Sequence, residues 1–306
     1  MKKRILIKDI GEFGFIEYLG RIIKTEKSVI RGIGEDTAVI SYIKGKYLLF
    51  TADMLIEDVH FKISQASSYQ IGWKALGCSL SDIAGMGGRP LYALISLGIP
   101  DNFSLDFIKG LYSGINRLAH MFRVNIVGGD TNRADKLVID VLLVGEVEEN
   151  RIAYRNGAKV NDIIGVTGYL GNSYNLKKHL KFIPRIEEAR FLVNNFRINS
   201  MIDISDGLSS DLFRILKESK KGAILFKDEI PLAEKATVGQ ALNEGEDFEL
   251  LFTLSEKEAK RLMEKKIKIK FPISFIGRIT EDKEKILLYD RYGGLEEIIP
   301  GGFRHF

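Results

Sequence analysis

A single cysteine, Cys78, is present in 306 residues, so no internal disulfide and no cysteine-rich zinc cluster can form. Histidine is nearly as scarce, with only His60, His120, His179 and His305. His120 and His179 fall in polar stretches of helical pattern and read as surface residues. There is no His-Glu-x-x-His pair, no Gly-x-x-x-x-Gly-Lys-Ser/Thr loop and no His-Arg-Asp or Asp-Phe-Gly pair, which removes the familiar zinc-protease, Walker-loop and protein-kinase signatures. A Ser-His-Asp hydrolase has no supporting motif either. No uninterrupted apolar run approaches the ~18 residues needed to span a bilayer. The basic start Met1-Lys2-Lys3-Arg4 is followed by Lys8, Asp9 and Glu12 rather than by an apolar signal core, so a cytoplasmic protein is expected. The charge excess is small, +4 from 45 basic and 41 acidic residues, too slight and dispersed to imply nucleic acid or a membrane surface. Short basic clusters such as Lys177-Lys178 and Lys265-Lys266 read as solvated helix faces.

With 45% hydrophobic and 28% charged residues, the composition is that of a soluble globular protein, and the length suits two domains. Apolar periodicity predicts helices over 11–24, 67–86, 105–122 and 209–219, with further helices after Gly171 and Pro184. Strands are predicted over 37–43, 46–51, 91–97, 124–127 and 137–147, then over 163–167, 201–204, 223–226, 248–254, 273–279 and 285–288. The polar, turn-rich stretch 148–161 is the domain boundary. The helix at 67–86 is unusual, because Gly72, Ala75, Gly77, Cys78, Ser79, Ser81, Ala84 and Gly85 leave room for a neighbouring backbone to approach closely. Strands mixed with helices in both halves indicate an α/β or α+β protein.

Acidic residues placed just after strands or inside glycine-rich turns are the informative feature. They are Glu35-Asp36, Asp53, Asp82, Asp130, Asp203, Asp206 and Glu246-Asp247. Each has an ordinary alternative: Asp206 could cap the helix that follows it, and Asp36 beside Gly34 could shape a turn. Asp82 is harder to set aside. It lies in a helix of small and apolar residues with no Arg or Lys at i±3 or i±4, and a desolvated carboxylate needs a partner. An external cation meets that need. Two like charges ~4 Å apart repel by ~4 kcal/mol at an effective dielectric of about 20, so converging carboxylates demand cations. An all-oxygen donor set selects a hard ion such as magnesium, which completes its shell with water and phosphate. A nucleoside triphosphate site follows.

In order and spacing, the segments 34–39, 51–61, 125–130, 202–212 and 245–253 resemble the thiamine-monophosphate kinase family, within the superfamily of aminoimidazole-ribonucleotide synthetase and selenophosphate synthetase. The likeness runs from Gly11-Glu12-Phe13 to Gly302-Phe303-Arg304-His305-Phe306. It implies a two-domain fold like that of aminoimidazole-ribonucleotide synthetase. Residues 1–148 would form an N-terminal ATP- and magnesium-binding domain whose strands build a dimer barrel, and 149–306 a C-terminal α/β domain. ATP as co-substrate and several magnesium ions would lie between them, with a monovalent cation left open. Carried over by motif, Asp36, Asp53, Asp82, Asp130, Asp203 and Asp206 would be metal ligands. Thr51 and Ala52 would add oxygens, Ala52 through its carbonyl. Tyr112, Gly129, Asp130, Arg155 and Ser205 would contact ATP, and His60, Glu246 and Phe303 the acceptor, thiamine monophosphate. The protein would be a homodimer.

Three residues depart from the family pattern. Ala52 stands where a second threonine is usual, Asp58 where glycine is usual in the loop before His60, and Glu244 where glycine is common. The implied reaction is direct in-line transfer of the γ-phosphate, with no dedicated base, because a phosphate monoester is already anionic near neutrality. A ring-closing enzyme of the same superfamily and a non-catalytic nucleotide or thiamine-phosphate binder are the alternatives. The first would cyclise rather than phosphorylate, and the second would have lost metal ligands. Phe303 has two readings as well, stacking on the acceptor or docking the tail onto the core.

Overall fold

The computed structural model describes residues 6–265 and 271–303. The basic start Met1–Arg4, Lys266 and the tail residues Arg304, His305 and Phe306 lie outside them. The chain folds as two mixed sheets with helices packed against each. The first half contains α1 (Ile7–Ile22), β1 (Val29–Arg31), β2 (Ala38–Ile43), β3 (Lys46–Ile56) and α2 (Ser68–Gly85). It continues through β4 (Arg89–Ile99), α3 (Leu105–Phe122), β5 (Asn125–Gly128), β6 (Thr131–Arg133) and β7 (Val138–Glu148). Its sheet runs β1-β2-β3-β7-β4-β5, with β6 also paired to β4. The centre is the unbroken antiparallel register of β3 on β7, from Lys46 opposite Glu148 to Ile56 opposite Val138. Buried residues alternate along β7, as expected of a strand with one face on a core.

The second half holds β8 (Ile163–Thr167), α4 (Ile186–Asn195), β9 (Ile198–Asp203), α5 (Leu208–Ser219) and β10 (Gly222–Phe226). After these come α6 (Val238–Asn243), β11 (Leu250–Leu254), α7 (Glu256–Glu264), β12 (Ile273–Thr280), β13 (Ile286–Tyr289) and β14 (Leu295–Ile298). Its strand order is β14-β13-β10-β12-β8-β11-β9. Every residue of β8 and β11 is buried, which explains their continuous apolar runs. No described helix is long and apolar enough to cross a membrane.

Helix α2 joins the halves. Ser67 begins it with a capping box, its hydroxyl accepting from Gln70 N while the Gln70 side chain accepts from Ser67 N, satisfying two otherwise orphaned donors. It packs against α3, β3, β4 and β7 on one side and against β9 and α4 on the other. The small residues are what permit this. A Cβ at Gly72 would stand 2.0 Å from Leu111 O, and one at Gly77 2.7 Å from the Phe182 ring. The reciprocal contact is Gly114 of α3, whose added Cβ would stand 2.0 Å from Tyr69 O.

Three expectations are corrected. No α-helix follows Gly171; the segment is a loop with one short 3-10 turn, Lys178–Leu180. Its backbone is held by side chains instead: Glu244 accepts from Asn172 N and Tyr174 N, and Asp247 from Gly171 N. Lys178 is accordingly no solvated helix face. It is half-buried, pairing with Asp247 at 3.4 Å and Glu249 at 3.1 Å. His179 is half-buried too, its ring 4.7 Å from that of Tyr174, whereas His120 is exposed as expected.

Overpacking a filled contact typically costs ~1–3 kcal/mol. Gly114→Ala should therefore lower the midpoint of thermal unfolding measurably in scanning calorimetry. Gly20→Ala, where nothing lies within 4 Å of the added carbon, should leave it unchanged or raise it slightly.

Candidate functional site

A cleft of about 260 Å³ opens between the halves. Its walls come from β3 (Ala52, Asp53, Met54, Leu55), the loop after it (Val59, His60) and α2 (Lys74, Cys78, Asp82). The second half contributes Tyr174, Asp203, Ser205, Asp206, Glu246, Phe248 and Phe303.

At one end, one carboxylate oxygen from each of Asp36, Asp82 and Asp203 lies within 4.8 Å of the others. Three separate stretches of chain supply them: the turn before β2, the interior of α2, and the end of β9. Gly85, one turn beyond Asp82, makes the convergence possible. A Cβ there would stand 2.3 Å from Asp36 Oδ2, so any side chain would displace that carboxylate. Thr51 donates its hydroxyl to Asp82, and Ser81 donates to Asp203 Oδ2 at 2.6 Å. Arg155 pairs with Asp36 through two guanidinium nitrogens and donates a third bond to Gly34 O. Even so, Asp36 Oδ2 and Asp53 Oδ2 are buried without a hydrogen-bond partner.

Burial raises the Asp53 pKa to about 6, with Asp140 and Asp36 nearby adding to the rise. Burial also pushes Asp82 and Asp203 well above the usual carboxylate range, Asp53 adding to the first and Asp36 to the second. Oxygen-only donors, unpartnered carboxylate oxygens and raised pKa values together describe a place that fits a hard divalent cation.

The other end is different in character. His60 Nδ1 accepts from Ile56 N at 2.9 Å, which makes Nε2 the proton-bearing nitrogen of the neutral ring. The Phe303 ring centroid lies 6.4 Å from that of His60. The segment leading to it is pinned by Gly301 N donating to Ser209 Oγ and by Phe303 N donating to Asp206 O. Glu246 (φ 64°) and Phe248 (φ 50°) both adopt left-handed backbone without being glycine, a strained pair of the kind that gathers at ligand sites. Asp58 also takes φ 66°, so the loop keeps a glycine-like turn with aspartate in place, and Lys136 pairs with its carboxylate at 3.0 Å.

Of the residues singled out in the sequence, the cleft gathers Ala52, Asp53, His60, Asp82, Asp203, Ser205, Asp206, Glu246 and Phe303. Thr51 and Asp36 stand directly behind them. Asp206 does not cap α5. α5 has no side-chain cap at Gly207; Asp211, inside its first turn, accepts from Asp206 N and Gly207 N ahead of the helix, while Asp206 pairs with Arg214. Arg155 serves as counter-ion to Asp36. Tyr112, Gly129 and Asp130 do not line this cleft: Tyr112 packs on the core from α3, and Asp130 is exposed between β5 and β6, accepting from Asn132. Sequence reasoning missed Lys74 and Tyr174, and it read Gly85 only as room for a neighbouring backbone, not as the space into which Asp36 converges. Lys74 carried a signal, a lone cation on an otherwise apolar helix.

A carboxylate whose folded pKa is raised is stabler protonated, so its contribution is present at low pH and lost as pH rises through the folded value. Burial puts Asp211 and Glu35 at about 7 and Asp53 at about 6. His179, whose pKa burial lowers, opposes this. With chelator present, the thermal midpoint should therefore rise between pH 8 and pH 6. Added magnesium should raise the midpoint at pH 8 and shrink that gain, as differential scanning fluorimetry would read. A midpoint indifferent to both would contradict a cation site.

Comparison with known proteins agrees with this geometry. Residues 34–147 match the AIR synthase related protein, N-terminal domain, and residues 155–290 its C-terminal domain. The thiamine-monophosphate kinase of Bacillus subtilis (strain 168) is 34% identical over 91% of this chain and 94% of its own length. That of Buchnera aphidicola subsp. Schizaphis graminum is 35% identical over 92% and 94%. Among solved structures, AaThiL complexed with AMPPCP and TMP superposes over 100% of both chains with a TM-score of 0.85 at 29% identity. The two-domain AIR-synthase-like fold, the acidic cleft between the sheets and these likenesses together place the chain in the thiamine-monophosphate kinase family.

Proposed function

We propose that this protein transfers the γ-phosphoryl group of ATP to thiamine monophosphate, giving thiamine diphosphate and ADP by direct in-line displacement. The observation that carries the reading is the convergence of Asp36, Asp82 and Asp203 beside Asp53 at one end of a cleft whose other end offers imidazole, aromatic and carboxylate groups. Asp36, Asp53, Asp82 and Asp203 would hold magnesium, with Thr51, the Ala52 carbonyl and Asp206 at the margin. Magnesium bound there neutralises phosphate charge and aligns the two phosphates.

The protein's own groups do the rest. Arg155 offsets the Asp36 charge, and the Thr51 and Ser81 hydroxyls fix the Asp82 and Asp203 carboxylates. His60 presents Nε2–H, Glu246 a carboxylate and Phe303 an aromatic face to the acceptor. No general base is required, since the attacking phosphate oxygen is already ionised at neutral pH. Ser205 and Arg155, with Tyr112, Gly129 and Asp130, would contact ATP; the last three carry that role on their motifs alone.

Two further parts belong to the same reading. The domain boundary falls after residue 148, where β7 ends. The N-terminal strands would pair with a second copy as a dimer barrel, which suits the exposed Tyr42, Tyr92 and Leu94 along β2 and β4 by covering an apolar sheet face.

Incubation with ATP, magnesium and a panel of acceptors, following ADP and phosphorylated product, tests the activity. Thiamine monophosphate should be phosphorylated, and Asp203→Asn should cut turnover by ~100-fold or more, about 2.7 kcal/mol, in a folded protein. A cyclised product, or full activity in the variant, would overturn the reading. Light scattering should give twice the chain mass of 34.5 kDa; a monomer at all concentrations would rule out the barrel.

A further inference from the structure

Lys74 is buried almost completely, at 1% exposure, and it lies in the wall of the cleft. Its ammonium donates to two acceptors at 2.6 Å each, the backbone carbonyl of His60 and Glu246 Oε1. These two residues face each other across the cleft from opposite halves of the chain, and both belong to the acceptor end.

The loop from Glu57 to Phe61 turns through left-handed Asp58 and closes with His60 N donating to Ile56 O. Glu246 sits on left-handed backbone, its N–H donating to Ser205 O and its carbonyl accepting from Ser173 Oγ. Its carboxylate has Lys74 on Oε1, while Oε2 is buried without a hydrogen-bond partner. Lys74 thus holds Oε1 in place from inside the wall, alongside the Tyr174 hydroxyl, which also interacts with this carboxylate. It also ties the height of the His60 loop to the position of Glu246.

A buried ion pair is seldom retained for stability, because an apolar pair of similar volume often serves as well. Its geometry here serves a different end. We propose that Lys74 is a positioning residue for the acceptor, orienting Glu246 and the His60 loop so that together they grip the cationic, amine-bearing part of the molecule. It acts through those two residues and has no part in holding ATP. The inference rests on the reading of the cleft as a thiamine-monophosphate site.

The test compares the full-length wild type with Lys74→Met, Glu246→Gln, the double variant and Lys74→Arg. Michaelis constants are measured for both substrates, with thermal midpoints, and thiamine monophosphate binding is followed by calorimetry. Lys74→Met should raise the acceptor KM and dissociation constant at least tenfold, with the ATP KM within twofold of wild type. The double variant should bind the acceptor no worse than Glu246→Gln alone, since the lysine acts through that carboxylate. Lys74→Arg, which keeps a cation in place, should recover part of the loss. If Lys74→Met fails to fold, the double variant, which removes both charges together, and Lys74→Arg carry the comparison.

Additive losses, equal loss on both substrates, or a lower midpoint with unchanged acceptor binding would overturn the proposal. Wild type that binds thiamine monophosphate without phosphorylating it would sink the kinase reading alone, with the Lys74 comparison then read from binding. Wild type that does not bind it would sink both.

Discussion

Everything in the cleft depends on α2 being enclosed on both sides. From Ile71 to Gly85 this helix is buried almost throughout, so each side chain it carries there must either pack or find a partner from another element. Gly72 lets α3 pack closely within the first half, and Gly77 lets Phe182 of the second half approach to contact, drawing the two halves together. Gly85 then leaves the space that Asp36 and Asp203 occupy next to Asp82. The same stripe of small residues that brings the halves together thus brings the carboxylates together. Packing and chemistry are not separable along this helix.

How far the sequence revealed this follows from the kind of signal each feature leaves. α3, α5 and strands such as β7 are legible because burial on one face imposes a period, and β8, β11 and α2, buried on all sides, are legible as runs of apolar or small residues. Asp82 is legible because a carboxylate among small and apolar residues has no local partner. Lys74 leaves a comparable mark, yet its partners lie 14 and 172 residues away, beyond any local pattern. The loop after Gly171 misleads for the same reason: its backbone is satisfied by Glu244 and Asp247, distant in sequence, so nothing nearby announces that a helix is unnecessary. The short helices α6 and α7 and the strands β1, β6 and β14 carry too few residues for a period to stand out.

The departures at Asp58 and Glu244 separate two kinds of change. Asp58 occupies left-handed backbone that glycine would adopt freely, and aspartate is among the residues that tolerate it. The fold absorbs that substitution locally, with Lys136 balancing the added charge. Glu244 keeps ordinary backbone (φ −83°) and instead gains a task, since its carboxylate accepts from Asn172 N, Tyr174 N and Gln240 Nε2. In this way it fixes the loop that places Tyr174 in the wall of the cleft. One residue replaces glycine by imitating it, the other by supplying contacts glycine lacks.

The two ends of the cleft also balance charge in opposite ways. At the acidic end Asp36 is offset by Arg155 and Asp206 by Arg214, leaving Asp53, Asp82 and Asp203 without a protein cation paired to them among the described residues. Such an excess would repel a bare polyphosphate and suit one accompanied by divalent ions, as the proposed function requires. At the acceptor end Lys74 neutralises Glu246 as a buried pair, so the surface there carries little net charge but keeps a directed oxygen, an imidazole N–H and an aromatic ring. A ligand with phosphate at one end and a flat cationic ring system at the other therefore has one favourable orientation. On the proposed reading, its phosphate would point toward the carboxylates, where the second phosphate of the reaction would also arrive. Regiochemistry follows from how each carboxylate is paired, before any reacting atom is considered.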